Sequence, residues 1–279
     1  MNASEPDDAE VVLVGGTANK GRIMRRGDAV HRPPGPHAPS VHALLNHLEQ
    51  VGFDGAPRFL GIDDQGREVL TFVPGDTVVP PYAAWMFGDE ALRSVAELLR
   101  HYHESVADFD VAPWRWSRPP PEPFRGTLAC HSDPNLANVV FRDGVAVALI
   151  DFDLAGPGLP IWDVAAAARL WTPLRADEYI DDPRHGRSLE RLRLFLDAYG
   201  ADFDPEQFVD AVVANHDWLY RVVEDGSDAG TPGFVAYWAQ VEHRAARTRE
   251  WYLGQRRALL AAARPTRSRR VGLPGGLSR

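Results

Sequence analysis

Lysine is almost missing from this chain. Of its 30 basic residues only Lys20 is a lysine, and the rest are arginines. Any role that calls for a lysine ammonium elsewhere must pass to arginine, whose planar fork grips oxyanions two atoms at a time. Cysteine is as scarce. Cys130 stands alone, so no internal disulfide can form and a reducing compartment is expected. No apolar run approaches the roughly 20 residues that span a bilayer. The opening residues MNASEPDDAE are acidic and lack the basic-then-apolar order of a signal peptide. A cytoplasmic protein with no membrane partner is expected. Basic charge is in deficit, with a net charge of −9. That balance argues against nucleic acid and suits a neutral or cationic ligand. There is no Cys set, no H-E-x-x-H and no G-x-S-x-G, which removes the common zinc and serine-hydrolase signatures.

What is present is enough for two lobes with sizeable cores. The chain has 279 residues, 44% hydrophobic and 25% charged. After a start expected to be disordered (residues 1–8), short β-branched runs at Glu10–Val14, Arg22–Arg25 and Ala29–Arg32 read as strands with turns between them. Ser40 reads as the N-cap of a helix with Val41, Leu44, Leu45 and Leu48 on one face and Gly52 past its end. Phe59–Ile62 and Glu68–Val73 read as a second strand pair. Pro74-Gly75 then interrupts the pattern.

From Pro80 onward the chain reads as helix. The stretches are Glu90–Asp108, Ile161–Leu174, Leu189–Tyr199, Pro205–Val223 and a long one from Gly233 to about Ala262. A Pro- and Trp-rich loop covers Pro113–Pro123. The Arg-, Gly- and Pro-containing end, residues 264–279, is expected to be disordered. The fold class expected is α+β and two-lobed. A small antiparallel-sheet lobe takes residues 9–74, and a larger, mainly helical lobe takes residues 75–263.

The most demanding pattern runs from Leu128 to Gly158. His131, Asp133 and Asn138 form H-x-D-x-x-x-x-N, and Asp151 and Asp153 follow the apolar run Val145–Ile150. Phosphoryl transfer to a hydroxyl needs a carboxylate to take the proton and oxygen ligands to hold Mg²⁺ against the phosphates. An Asp and an Asn five positions apart, followed by a hairpin that returns a second Asp, supply those parts.

The stretch resembles the motif of the aminoglycoside phosphotransferase family, a branch of the protein-kinase-like fold that phosphorylates small molecules. There the motif is usually H-G-D-x-x-x-x-N followed by I-D-W/F-D/E, so Ser132 departs at the glycine. Asp163, in Trp162-Asp163-Val164-Ala165, matches the family's helix start. The resemblance spans about Val11 to Leu260. It implies Asp133 as base, His131 as a brace of the loop, and Asn138 and Asp151 as Mg²⁺ ligands. It also implies Asp153 and Asp163 as supports, with ATP or GTP as phosphoryl donor. In the family a strand lysine, paired with a helix glutamate, usually holds the phosphates. Here Arg32 falls at the lysine and His42 at the glutamate, so the usual ion pair is expected to be missing. Lys20, in the Gly-rich turn G-G-T-A-N-K-G, is the other candidate for the phosphates. Backbone groups of Thr71 to Val73 are expected at the purine edge.

The acceptor is less legible. Glu178, Asp181, Asp182, Glu224, Asp225 and Asp228 suit a cationic hydroxyl acceptor such as an aminoglycoside, and equally a solvated acidic surface. Trp114, Trp116, Trp171, Trp218, Tyr220 and Trp238 suit stacking on a flat substrate or plain packing. His101, His103 and Glu104 read as structural helix residues, and Cys130 as a small buried one. The leading reading is a small-molecule O-phosphotransferase, such as an antibiotic-inactivating kinase, working as a monomer or weak dimer. A kinase-like binding or immunity protein with little catalysis, and a kinase of choline, homoserine or a sugar, are the alternatives.

Overall fold

A computed structural model describes residues 10–13, 21–80, 82–200 and 202–265. The segments expected to be disordered at the start and after residue 265, and the Gly-rich turn with Lys20, lie outside the described residues.

The first part is a five-stranded antiparallel sheet built from β1 (Val11–Val12), β2 (Met24–Arg26), β3 (Ala29–Arg32), β4 (Phe59–Ile62) and β5 (Glu68–Thr71). Strand order is β1-β2-β3-β5-β4, so β3 lies centrally and pairs with a strand 36 residues further along, Arg32 opposite Glu68. Helix α1 (Ala38–Gln50) crosses between β3 and β4 and buries Val41, Leu44, Leu45 and Leu48. It starts two residues before the expected cap, because Pro39 fits the first helical turn, where no N–H is needed. Ser40 therefore caps nothing, and its hydroxyl donates to the Arg115 carbonyl.

The turn between β4 and β5 is held by one side chain. Asp63 accepts from the N–H groups of Gln65 and Arg67 at 2.9 Å each, from Arg67 Nε at 2.7 Å and from His31 Nδ1 at 2.9 Å. Burial raises its pKa, but these donors outweigh it and hold the carboxyl well below the usual range.

Past Pro74 the chain enters the helical part through β6 (Asp76–Thr77). Gly75, at φ +147°, has no room for a Cβ, which would lie 2.4 Å from the Phe141 carbonyl oxygen. Helix α2 (Asp89–Ser105) follows, then β7 (Leu128–Cys130), β8 (Val139–Arg142), β9 (Val145–Leu149) and β10 (Gly156–Gly158). β6, β8 and β9 make one antiparallel sheet, and β7 and β10 another. The helices are α3 (Pro160–Trp171), α4 (Ser188–Tyr199), α5 (Pro205–Asp228), α6 (Pro232–Gly254) and α7 (Arg256–Ala263). The expected long last helix is thus two, broken at Gln255 after Gly254, a residue that weakens helix interiors. Helix α5 runs on to Asp228, beyond the expected end. Trp162, Trp171, Tyr102, Phe195 and Phe208 are among the largest fully buried side chains, and they join α2 to α5 around one core. Among the described residues no helix is long and apolar enough to cross a membrane.

Asp63→Asn removes a charge that the fold stabilises. The folded pKa lies below the unfolded value of about 3.9, so this contribution is present above that pH and is lost as pH falls through it. The variant is expected to melt below the wild type at neutral pH, with the gap closing below about pH 4. Paired melts from pH 3 to 7 check this.

Candidate active site

The motif loop is fixed from beneath. Asp163, fully buried in the first turn of α3, accepts the N–H of His131 at 2.7 Å and that of Ser132 at 2.6 Å. His103 Nε2 donates to the same carboxylate at 3.0 Å, leaving Nδ1 to accept from the Tyr199 hydroxyl at 2.8 Å. His103 is therefore a buttress. His131 spans the loop in the same way, with Nε2 donating to the Ile150 carbonyl at 3.0 Å and Nδ1 accepting the Asp133 N–H at 3.3 Å. Burial lowers its pKa, so the ring is neutral at physiological pH. Trp171 Nε1 reaches the Pro134 carbonyl at 3.0 Å. Between these ties Ser132 is left-handed, at φ +66°.

Asp133 is held at one oxygen only. Asn135 Nδ2 and Asn138 Nδ2 both donate to Oδ2, at 2.9 and 3.2 Å, and Oδ1 has no hydrogen-bond partner among the described residues. Burial pushes this carboxyl up to about 7, with Asp151 adding to the rise and Asn135, Arg169 and Asn138 opposing it. Asn138 also donates to the Asp133 carbonyl at 3.0 Å. With its amide hydrogens so engaged, its side-chain Oδ1 is left to act as a ligand. The hairpin β8–β9 returns the chain to this point, the Ile150 N–H donating to the Asn138 carbonyl at 2.9 Å. Asp151 follows at once, also left-handed at φ +64°.

Opposite lies Arg32. The usual pair with a helix glutamate is absent, as the sequence reading expected, but Arg32 has three other ion pairs. Arg32 Nε donates to Glu68 Oε1 at 2.6 Å, Nη1 to Asp151 Oδ1 at 3.1 Å and Nη2 to Asp153 Oδ1 at 2.6 Å. The glutamate comes from β5 rather than from α1. His42 stands on α1 and joins the group by donating Nε2 to Glu68 Oε2 at 2.6 Å. Burial draws the Arg32 pKa down, but Asp153, Asp151 and Glu68 outweigh it and the net shift is upward. Asp153 is shifted up by burial and by Asp151, against the pull of Arg32.

These residues stand between two openings. An apolar slot of about 260 Å³ is lined by Ile23, Val30, Leu70, Val73 and Ile150, and Arg32, Asn138 and Asp151 close its inner end. Thr71 lines it too, but its N–H donates to the Arg58 carbonyl, and the Phe72 N–H to Asp28. Val73 is left with N–H and C=O unengaged among the described residues. On the other side a cleft of about 510 Å³ has Asp133, Asn138, Asp151 and Asp153 at its floor. Its aromatic wall is Tyr82, Phe234 and Tyr237, none of which was marked in the sequence. The six aromatics that were marked do not line it. Trp171 and Trp218 are buried, and Trp116 and Trp218 bond to backbone carbonyls. Nor do the six marked acids line the cleft; Asp182 is taken by Arg184, and Asp225 by Arg118.

Among the described residues no trio of His, Cys, Asp or Glu gathers into a metal cluster. Asn138 and Asp151 do supply hard oxygen donors at the junction of slot and cleft. Glu68, Asp151 and Asp153 together outnumber the one guanidinium between them. A divalent cation with phosphate oxygens completing its shell fits that donor set and that surplus of negative charge.

Residues 105–199 match the model of the phosphotransferase enzyme family. A trifolitoxin immunity protein of Rhizobium leguminosarum bv. trifolii is 32% identical over 269 residues, covering 91% of this chain and 98% of that protein. A choline/ethanolamine kinase family protein from Mesorhizobium loti superposes with a TM-score of 0.61 at 19% identity, over 92% of each chain. The GDP complex of aminoglycoside 2'-phosphotransferase-IIIa does so with a TM-score of 0.52 at 13% identity, also over 92% of each.

Ser132 sits where the backbone favours glycine. Ser132→Gly is expected to stabilise the protein by about 1 kcal/mol, the cost of a left-handed L-residue. Tm should rise by about 2–4 °C, and calorimetry on the two proteins reads it.

Proposed function

The chain belongs to the phosphotransferase enzyme family, and from that premise we propose that it moves the γ-phosphoryl group of ATP or GTP to a hydroxyl of a small molecule, an antibiotic or toxin. One observation carries the reading. Asp133 presents a bare Oδ1 at the floor of a cleft whose Asn138 and Asp151 also close the apolar slot.

The slot takes the purine, with Val73 offering one donor and one acceptor to its edge. Arg32 stands in the strand position for the phosphates, braced by Glu68 and, through Glu68, by His42. Asn138 and Asp151 would hold Mg²⁺, which would supply neutralising charge to the phosphate oxygens. Asp133 Oδ1 orients the acceptor hydroxyl and receives its proton as the oxygen bonds to the γ-phosphorus. The bond to the bridging oxygen breaks and the nucleoside diphosphate leaves. Burial makes Asp133 a stronger base than an exposed aspartate. His131 and Asp163 touch no substrate; they hold the loop. The same chemistry would serve a metabolic kinase, and the relative's role as a trifolitoxin immunity protein favours an inactivating one.

A second reading has its own observation. Arg32 is committed to three carboxylates, and an immunity protein can act by binding alone. The two part on turnover. Nucleotide consumption with Mg²⁺ is measured across aminoglycosides, peptide antibiotics, nucleosides and amino alcohols. Asp133→Ala is expected to lower kcat by about 10²–10⁴ while keeping the wild-type melting shift with nucleotide. Undiminished turnover in that variant sinks the assignment of Asp133. A nucleotide-induced shift with no acceptor turned over favours binding alone.

A further inference from the structure

Beside the acceptor cleft lies a second cavity, of about 100 Å³, between α3, α5 and α6. Three arginines face it: Arg169 in the last turn of α3, Arg175 just beyond that helix, and Arg244 on α6. None of them forms an ion pair among the described residues. Arg169 is 7% exposed, and its Nε donates to Asn215 Oδ1 at 3.3 Å. Its Nη2, together with Arg175 Nε and Arg244 Nε, is buried with no hydrogen-bond partner. Burial, then Arg184 and Arg244, push Arg175 below the usual guanidinium range, against Asp182. It remains charged at neutral pH all the same.

Such a grouping is out of character for this chain. The protein carries a net charge of −9, and its other partly buried arginines are matched with acids. Arg184 has Asp182, Arg191 has Asp89, and Arg32 has three carboxylates. Buried cations without counter-charges are unfavourable unless something supplies acceptors. Three converging guanidinium forks are the arrangement that grips an oxyanion.

The cavity is not isolated. Leu170, Arg175, Leu219, Val223 and Tyr237 line both it and the cleft that holds Asp133. The two openings therefore share a wall, and Arg175 stands in it. We propose that this cavity binds an oxyanion, a carboxylate or phosphate group borne by the acceptor whose hydroxyl lies at Asp133. The part that concerns the acceptor rests on the phosphotransfer reading; the anion site itself does not.

The first experiment uses the full chain without nucleotide. Melting curves are recorded in inorganic phosphate and in acetate, each against chloride at equal ionic strength. Tm is expected to rise by about 2–4 °C once the anion is about five times its Kd. A response to phosphate alone assigns a phosphate group, and one that includes acetate assigns a carboxylate. Arg175→Gln and Arg244→Gln are each expected to lose the rise while keeping the wild-type response to nucleotide with Mg²⁺. No rise in the wild type, or a rise that persists in both variants, overturns the site. Should one variant fail to fold, the other decides. Hydroxyl acceptors offered as carboxylate and as primary amide should then differ about 10- to 100-fold in KM, and equal KM values overturn the proposal. An anion response without any nucleotide response would instead remove the phosphotransfer reading and leave the cavity standing.

Discussion

The placement of the loop depends on one buried carboxylate. Asp163 accepts two successive backbone N–H groups, those of His131 and Ser132, and a third bond from His103. A charge with no exposure is tolerated only when its lone pairs are satisfied, and here they are. Two consecutive N–H groups aimed at one side chain force the turn between them, and this is where Ser132 takes its left-handed backbone. Asp133 is the next residue. Its direction into the cleft is therefore a consequence of α3, through a chain of bonds that no substrate has to supply.

The scarcity of lysine has a counterpart on the facing side. A lysine ammonium is a single point charge, whereas the Arg32 guanidinium has enough donors to reach Glu68, Asp151 and Asp153 at once. The small sheet and the motif hairpin are thereby tied across the junction of slot and cleft. One positive charge does not balance three carboxylates. Burial, and then the neighbouring Asp151, raise the pKa of Asp153 against the pull of Arg32, and the surplus negative charge makes the site receptive to a divalent cation.

Local pattern made much of this legible. The apolar spacing of Leu92, Val95, Leu99 and Tyr102 gave α2, and the hairpin length placed Asp151 beside Asn138. The fold class followed from the same signals and is the one the solved neighbours share. What escaped was set by pairing at a distance. Glu68 meets Arg32 only because β3 neighbours β5 rather than β4, and strand order is not written in either strand. Asn135 was not marked, although its place within the motif was a usable signal. Pro39 hid the true start of α1, and Gly254 was overlooked as a helix end. Arg169, Arg175 and Arg244 come from three separate segments that only helix packing brings together.

Helix α3 has a consequence of its own. It carries Asp163 near its first residue and Arg169 near its last, six positions apart, which is about 9 Å of helix rise. One end fixes the loop that carries Asp133, and the other borders the arginine cavity. Both reference points sit on a single stiff rod rather than on separate loops. The separation between the two is therefore set by the pitch of that helix and not by the conformation of any loop.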